Sequence, residues 1–221
     1  MSGLFEQLVA TNEADWTRYI QHDFVCKIGE GSLPRDCFEH YLKQDYVFLM
    51  HFARAFGLAA FKSSTLAQLE HAKSCMSAIM DIELSLHVQY CESWGIGRAE
   101  LESTVESTAN MAYTRYVMER GLAGSLLDLN VALAPCIIGY ASIAKWLSTQ
   151  SFVNTTDNPY ASWIAMYSSD EYQKVAQAHR QILDQTKLAE LSEQRIAALT
   201  ATFGSATRLE IDFWQMGLDL R

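Results

Sequence analysis

Apolar residues recur along the chain at the three- and four-residue spacing that lines one face of an α-helix, and no sustained period-2 alternation suggests a strand. Leu8, Val9, Trp16, Tyr19 and Ile20 form the first stripe and predict a helix from Leu4 to about Phe24, after which Gly29 and Gly31 break the chain. Pro34 suits the first turn of a second helix, where its missing N–H would have no intrahelical partner, and that helix should reach about Phe61. Further stripes predict helices over Ser64 to Trp94, ended by Gly95 and Gly97, over Glu100 to Arg120, and over Ser125 to Leu147. The polar tract Ser151 to Asn158 reads as a loop, and Pro159 opens a short helix. Ser168, Ser169 and Asp170 offer caps for a helix ending near Lys187, and a last helix runs from about Ser192 to Leu218. Seven or eight helices with short connections predict an all-α bundle, read as a single domain over residues 1–221.

Composition narrows the class. Of 221 residues 49 % are apolar, with 11 Gly and 3 Pro, which excludes disorder and a loop-rich β scaffold. A formal charge of −9 repels phosphate backbones and anionic head groups, so neither nucleic acid nor a membrane surface is an expected partner. The longest uncharged run, Leu129 to Ala144, has 16 residues and falls short of the roughly 20 that a membrane span needs. Cys26, Cys37, Cys75, Cys91 and Cys136 are scattered and form no C-x-x-C pair. With no signal-peptide pattern at the N-terminus, the expectation is a cytoplasmic protein without disulfides.

Three places interrupt the apolar pattern with chemistry. Phe38, Asp45 and Phe52 stand seven residues apart on one row of the second helix, so a carboxylate sits inside an aromatic stripe. Such a group is either buried or in a cleft with a compensating partner, or lies at the solvated margin of an offset stripe. Glu210 repeats the anomaly in the row of Ile196, Phe203 and Gly217. It reads either as part of a polar cavity or as a packing group paired with an arginine such as Arg208 of a neighbouring chain. In the fifth helix, Pro135 removes a backbone hydrogen bond and crowds the carbonyl of Val131, at a cost of about 3 kcal/mol. A kink there would free backbone groups around Cys136, with Tyr140 one turn on along the same face. A cysteine in an apolar helix is ordinarily inert packing, and the proline and the phenol weigh against that reading without settling it. Glu83 and His87 share a helix face at i, i+4 and could begin a metal site, but the fifth and last helices offer too few further ligands. No metal and no cofactor are expected. His22, His40, His51, His71 and His179 read as surface or satisfied core residues.

Five signals then occur in order: Gln44-Asp45-Tyr46 followed by Phe48; Ala112-Tyr113-Thr114; Ala134-Pro135-Cys136 with Tyr140; Trp163-Ile164 with Tyr167; and Glu210 with Phe213-Trp214. Over essentially its whole length the chain resembles the TenA/THI-4 family of aminopyrimidine aminohydrolases, also called thiaminase II, in its cysteine-containing branch. The resemblance implies a haem-oxygenase-like all-α fold without haem, assembled as a homotetramer. It makes Cys136 the nucleophile and Glu210 the proton donor. Asp45 would bind the amino edge of a pyrimidine, Tyr113, Tyr140 and Tyr167 would line the pocket, and Phe213 would pack on the substrate ring. Some members carry a tyrosine where this chain has Phe48, which keeps the stacking face and lacks the hydroxyl.

The implied reaction is a thiamin-salvage hydrolysis of 4-amino-5-aminomethyl-2-methylpyrimidine to the hydroxymethylpyrimidine and ammonia, with thiamin as a second substrate. Thiolate addition to the ring would let the ring electrons expel a poor leaving group. The chemistry asks Cys136 to be available as thiolate, Glu210 to be protonated part of the time, and Asp45 to stay ionised. Two alternatives remain: a non-catalytic pyrimidine-binding or regulatory helical oligomer, and a haem-oxygenase-like oxidase.

Overall fold

The structure, a computed structural model, describes residues 3–221, the side chain of Ile82 excepted. Every regular element among the described residues is helical. The first expected helix is three: α1 (Leu4–Thr11), α2 (Glu13–Ile20) and α3 (Asp23–Glu30). The breaks fall at Asn12 and Gln21, where neither Gly nor Pro marks them. Asn12 holds its break by donating from Nδ2 to the carbonyls of Leu8 and Thr200, and His22 caps α3 by accepting from Phe24 N–H. Gly31 ends α3 at φ 77°, a left-handed cap that a residue with a Cβ adopts only under strain.

Helix α4 (Arg35–Lys62) follows Pro34 as expected. The third expected helix contains a π-helical turn, Ala78–Glu83, between α5 (Leu66–Ser77) and α6 (Leu84–Ser93), and it ends at Gly95 with φ 86°. The fourth divides into α7 (Arg98–Glu102) and α8 (Thr108–Ala123), because the Ser107 hydroxyl caps a new helix by accepting from Asn110 N–H. Helix α9 (Leu126–Leu147) runs without interruption through Pro135. After the expected loop come α10 (Ala161–Ser168), α11 (Asp170–Asp184, capped by Ser169 on Tyr172 N–H), a 3-10 turn (Leu188–Glu190) and α12 (Glu193–Asp219). Helix α9 is long and apolar enough to cross a membrane by composition, yet 83 % of its apolar window is buried within the protein, as in a core helix.

The chain divides into two compact units whose limits fall inside α9 and α12. The first contains residues 1–33 and 130–214. Its centre is the fully buried Trp214, stacked on Phe24 (5.1 Å, 16°) and Tyr19 (6.3 Å, 17°). A second cluster joins α1, α2 and α12 through Phe5, Trp16 and Phe203. Asn158 secures the loop before α10: its Nδ2 donates to the carbonyls of Ile28 and Gly29, and its Oδ1 accepts from Tyr160 N–H. His179 is a satisfied core residue, with Nε2 2.9 Å from the Asn130 carbonyl.

The second unit contains residues 34–129 and 215–221, with α4 as its spine. The buried Gln44 ties α4 to the α7–α8 connection: its Nε2 donates to the Val105 carbonyl, its Oε1 accepts from Ser107 N–H, and its own carbonyl accepts from Asn110 Nδ2. Backbone polar groups of a buried connection need such partners, so Gln44 belongs to the scaffold on which the next residue, Asp45, is carried.

Candidate active site

The residues singled out by the sequence fall into two groups, one in each unit. In the first unit, Cys136 lies buried in α9 with Tyr140 one turn on, and Glu210 lies buried in α12 with Trp214 one turn on. The rings of Tyr140 and Trp214 are 5.3 Å apart, so α9 and α12 pack together one turn beyond Cys136 and Glu210. Tyr167 of α10 packs on Tyr140 at 4.8 Å and on Trp163 at 4.7 Å. Phe213 reaches Trp214 at 6.5 Å. Tyr140 and Tyr167 are therefore assembled with Trp163 and Trp214 on one aromatic cluster, and Cys136, Glu210 and Phe213 are carried by the two helices, α9 and α12, that supply Tyr140 and Trp214 to it.

The positioning of α9 within that cluster is specific. The hydroxyl of Tyr19 donates to the Pro135 carbonyl at 3.1 Å. Gly139 makes room for the same ring, since a Cβ there would come within 2.3 Å of Tyr19 Cε1. The hydroxyl of Tyr172 donates to the Ile137 carbonyl at 3.3 Å. Two phenols thus hold the backbone on both sides of Cys136. Arg208, the residue considered as a partner for a packing glutamate, instead pairs with Asp15 at 3.0 Å.

In the second unit Asp45 is buried at 8 % exposure, which decides against the solvated-margin reading. Phe48, one turn on, packs against Tyr113 of α8 at 5.3 Å, so Asp45, Phe48 and Tyr113 form the second group. Burial in its aromatic row pushes the carboxyl up to about 7, so burial opposes the ionised form there. His87 Nδ1 stands 3.4 Å from Asp45 Oδ2, and burial holds the imidazole below its ordinary value. Glu83, delivered by the π-turn, is pushed up to about 7 by burial and then by the charge of Asp45.

None of the five cysteines is in a disulfide. Burial, with Glu83, pushes Cys75 up to about 11, and burial, with Asp45 and Glu92, pushes Cys91 up to about 12. Both therefore stay thiols at neutral pH. Among the described residues no group of three or more His, Cys, Asp or Glu side chains could hold a metal ion. Two surface hollows, of about 360 and 460 Å³, are lined by Arg18, Arg208 and Asp212 and by Glu70, Lys73 and Asp81, and neither contains a predicted site residue.

The family model described as TENA/THI-4/PQQC matches residues 11–220. The chain belongs to this family. An aminopyrimidine aminohydrolase of Halalkalibacterium halodurans is 35 % identical over 93 % of this chain and 91 % of its own length. A crystal structure from Silicibacter sp. TM1040, described as a TenA family transcription regulator, is 41 % identical, covers 98 % of this chain and 97 % of its own, and superposes with a TM-score of 0.91. A domain from Shewanella denitrificans with a heme oxygenase-like fold, 13 % identical, covers 98 % of this chain and 91 % of its own at a TM-score of 0.70, which fixes the fold class.

Within this TENA/THI-4/PQQC chain, the sequence located the two carboxylates and the cysteine but gave Glu83 and His87 no role beyond a possible metal site. Their tie to Asp45 is tertiary. The signal that was present is the i, i+4 spacing of two ionisable groups on an otherwise mixed helix.

Proposed function

We propose that the protein is a thiamin-salvage hydrolase that converts 4-amino-5-aminomethyl-2-methylpyrimidine and water to 4-amino-5-hydroxymethyl-2-methylpyrimidine and ammonia, with thiamin as a second substrate. The observation that carries this reading is the Tyr140–Trp214 contact, which joins the helix that bears Cys136 to the helix that bears Glu210. Buried Cys136 and buried Glu210 thus lie on two helices that pack through aromatic rings, in a chain 35 % identical to an aminopyrimidine aminohydrolase.

In the proposed mechanism the Cys136 thiolate adds to the pyrimidine ring and forms a C–S bond, so the ring loses its aromaticity. The ring electrons then break the methylene C–N bond, and Glu210 gives its proton to the departing amine, which leaves as ammonia. Water adds to the exposed methylene carbon and returns a proton to Glu210. Loss of the thiolate restores the aromatic ring. Tyr140, Tyr167 and Phe213 supply faces for a flat heterocycle. Asp45, with Phe48 and Tyr113, recognises the amino edge; that assignment rests on the Gln44-Asp45-Tyr46 motif. Assembly as a homotetramer in the cytoplasm belongs to the same reading. A transcription regulator, the description given to the Silicibacter protein, is disfavoured for this chain by its charge of −9.

The test is ammonia release from the aminopyrimidine by the purified protein. Wild type should turn over, and Cys136→Ser should lose at least about a thousandfold in kcat, as expected when a covalent step is removed. Retention of activity in Cys136→Ser would discard the nucleophile, and an inactive wild type would discard the function.

A further inference from the structure

His87 has a fixed tautomer. Its Nε2 is 2.9 Å from the Leu42 carbonyl, which only accepts, so Nε2 carries the hydrogen. In the neutral ring Nδ1 is then a bare lone pair, and Asp45 Oδ2 lies 3.4 Å from it. The two side chains are only 9 % and 11 % exposed. A lone pair facing an ionised oxygen in so dry a place is unfavourable, so one proton resides between them, on Oδ2 or on Nδ1. Either placement leaves the pair with no net charge.

The surroundings favour that neutral pair. The π-turn presents Glu83, whose own ionisation is opposed by a charged Asp45. Cys75 of α5 and Cys91 of α6 remain thiols. From α8 come Asn110, bound to Gln44, and Tyr113, packed on Phe48. The cation Lys43 is engaged by Glu100 of α7 at 2.5 Å. π-helical turns occur mostly where a helix has been re-registered for function, and here the turn ends at Glu83, one turn before His87.

We propose that His87 is a positioning residue: anchored to the Leu42 carbonyl, it engages Oδ2 of Asp45 and holds one proton on the pair, so that Oδ1 accepts from the amino group of the pyrimidine in one defined orientation. This rests on the reading that Asp45 binds the amino edge. An amino edge sets a donor beside a ring-nitrogen acceptor. An unanchored, fully ionised Asp45 would turn freely and would set a lone pair against that nitrogen. The effect falls on binding and not on the covalent step, which belongs to Cys136 and Glu210.

Two substitutions separate this role from a structural one. His87→Gln keeps a donor for the Leu42 carbonyl and loses the group facing Asp45. His87→Asn keeps an amide near the Nδ1 position and loses the Leu42 contact. Initial rates of ammonia release, with thermal unfolding run in parallel, should show KM for the aminopyrimidine raised about tenfold in His87→Gln, equivalent to one lost binding contact, with kcat within about twofold of wild type. His87→Asn, which keeps a donor for Oδ2 but neither the Leu42 anchor nor a proton for the pair, should recover part of that loss, with KM between the His87→Gln and wild-type values. A His87→Gln enzyme with wild-type KM, or one that loses kcat at unchanged KM, overturns the inference, as does a folded His87→Asn enzyme no better than His87→Gln. An inactive wild type overturns the parent reading and this inference together, whereas an active wild type beside an unaffected His87→Gln overturns this inference alone.

Discussion

Asp45→Asn separates what a buried carboxyl does for a ligand from what it costs the fold. The group titrates at 3.8 when exposed and near 7 in the folded protein, because burial withholds water from the charge. The folded value is the higher one, so between these limits the folded state binds more protons than the unfolded state, and stability falls as pH rises through the window. Across the whole window the ionised form is disfavoured by about 4 kcal/mol, and partial uptake of the proton by His87 reduces that figure. Between about pH 5 and about pH 8.5 roughly two pH units lie inside the window, corresponding to about 3 kcal/mol. Asparagine has nearly the same volume and no charge to pay for. The stability of Asp45→Asn relative to wild type should therefore rise by about that amount from the lower to the higher pH, which is roughly 5–10 °C in unfolding midpoint for a chain of this size. Glu83 adds in the same sense, because the variant relieves it of a neighbouring charge. Urea unfolding followed by far-UV circular dichroism at the two pH values measures the gap. A gap that stays constant, or that closes as pH rises, would refute burial as the cause of the shift. On the proposed function the same protein should bind the aminopyrimidine poorly, so a gain in stability would accompany a loss of ammonia release.

Two further substitutions probe the packing of the first unit, at the Tyr19–α9 contact and at the loop before α10. Gly139→Ala would drive a Cβ to 2.3 Å from the ring of Tyr19, which is fully buried and hydrogen-bonded to Pro135. It should cost about 1–3 kcal/mol in denaturant unfolding, and a wild-type midpoint would mean that the ring is not packed there. Asn158→Ala removes three buried hydrogen bonds, to Ile28, Gly29 and Tyr160, and should cost roughly 2–4 kcal/mol while speeding hydrogen exchange at the Tyr160 amide. Unchanged exchange at that amide would count against the network.

The all-α class is readable because helical periodicity survives substitution of almost any single position. The anomaly of a carboxylate in an apolar row is legible at Asp45 and at Glu210, but the choice between burial and a solvated or paired margin is made only by tertiary packing. Breaks were missed where no Gly or Pro announces them: Asn12 ends α1 by a side-chain bond to Thr200, a partner 188 positions away that no local window contains. The gap between α7 and α8 depends on the Ser107 cap, a single serine among several in that stretch. The π-turn at Ala78–Glu83 adds one residue to the period, too small a change to disturb a stripe read over two turns. The upward push on the Asp45 carboxyl is not legible in the sequence, because how dry an aromatic row is depends on what else packs onto it. The role of His87 could not be read at all, since it requires knowing that α6 brings its ring to the carbonyl of Leu42.

The seat of Cys136 closes late in the life of the polypeptide. Its helix is complete at Leu147, but the indole against which Tyr140 lies belongs to Trp214, 67 positions further on. At ribosomal speeds of about 5–20 residues per second, that separation is roughly 3–13 s. Throughout this interval Tyr140 lacks its indole partner, while the contact of the α9 backbone with the Tyr19 hydroxyl is already within reach. The segment bearing the candidate nucleophile thus passes that interval without the ring that covers Tyr140 in the finished protein.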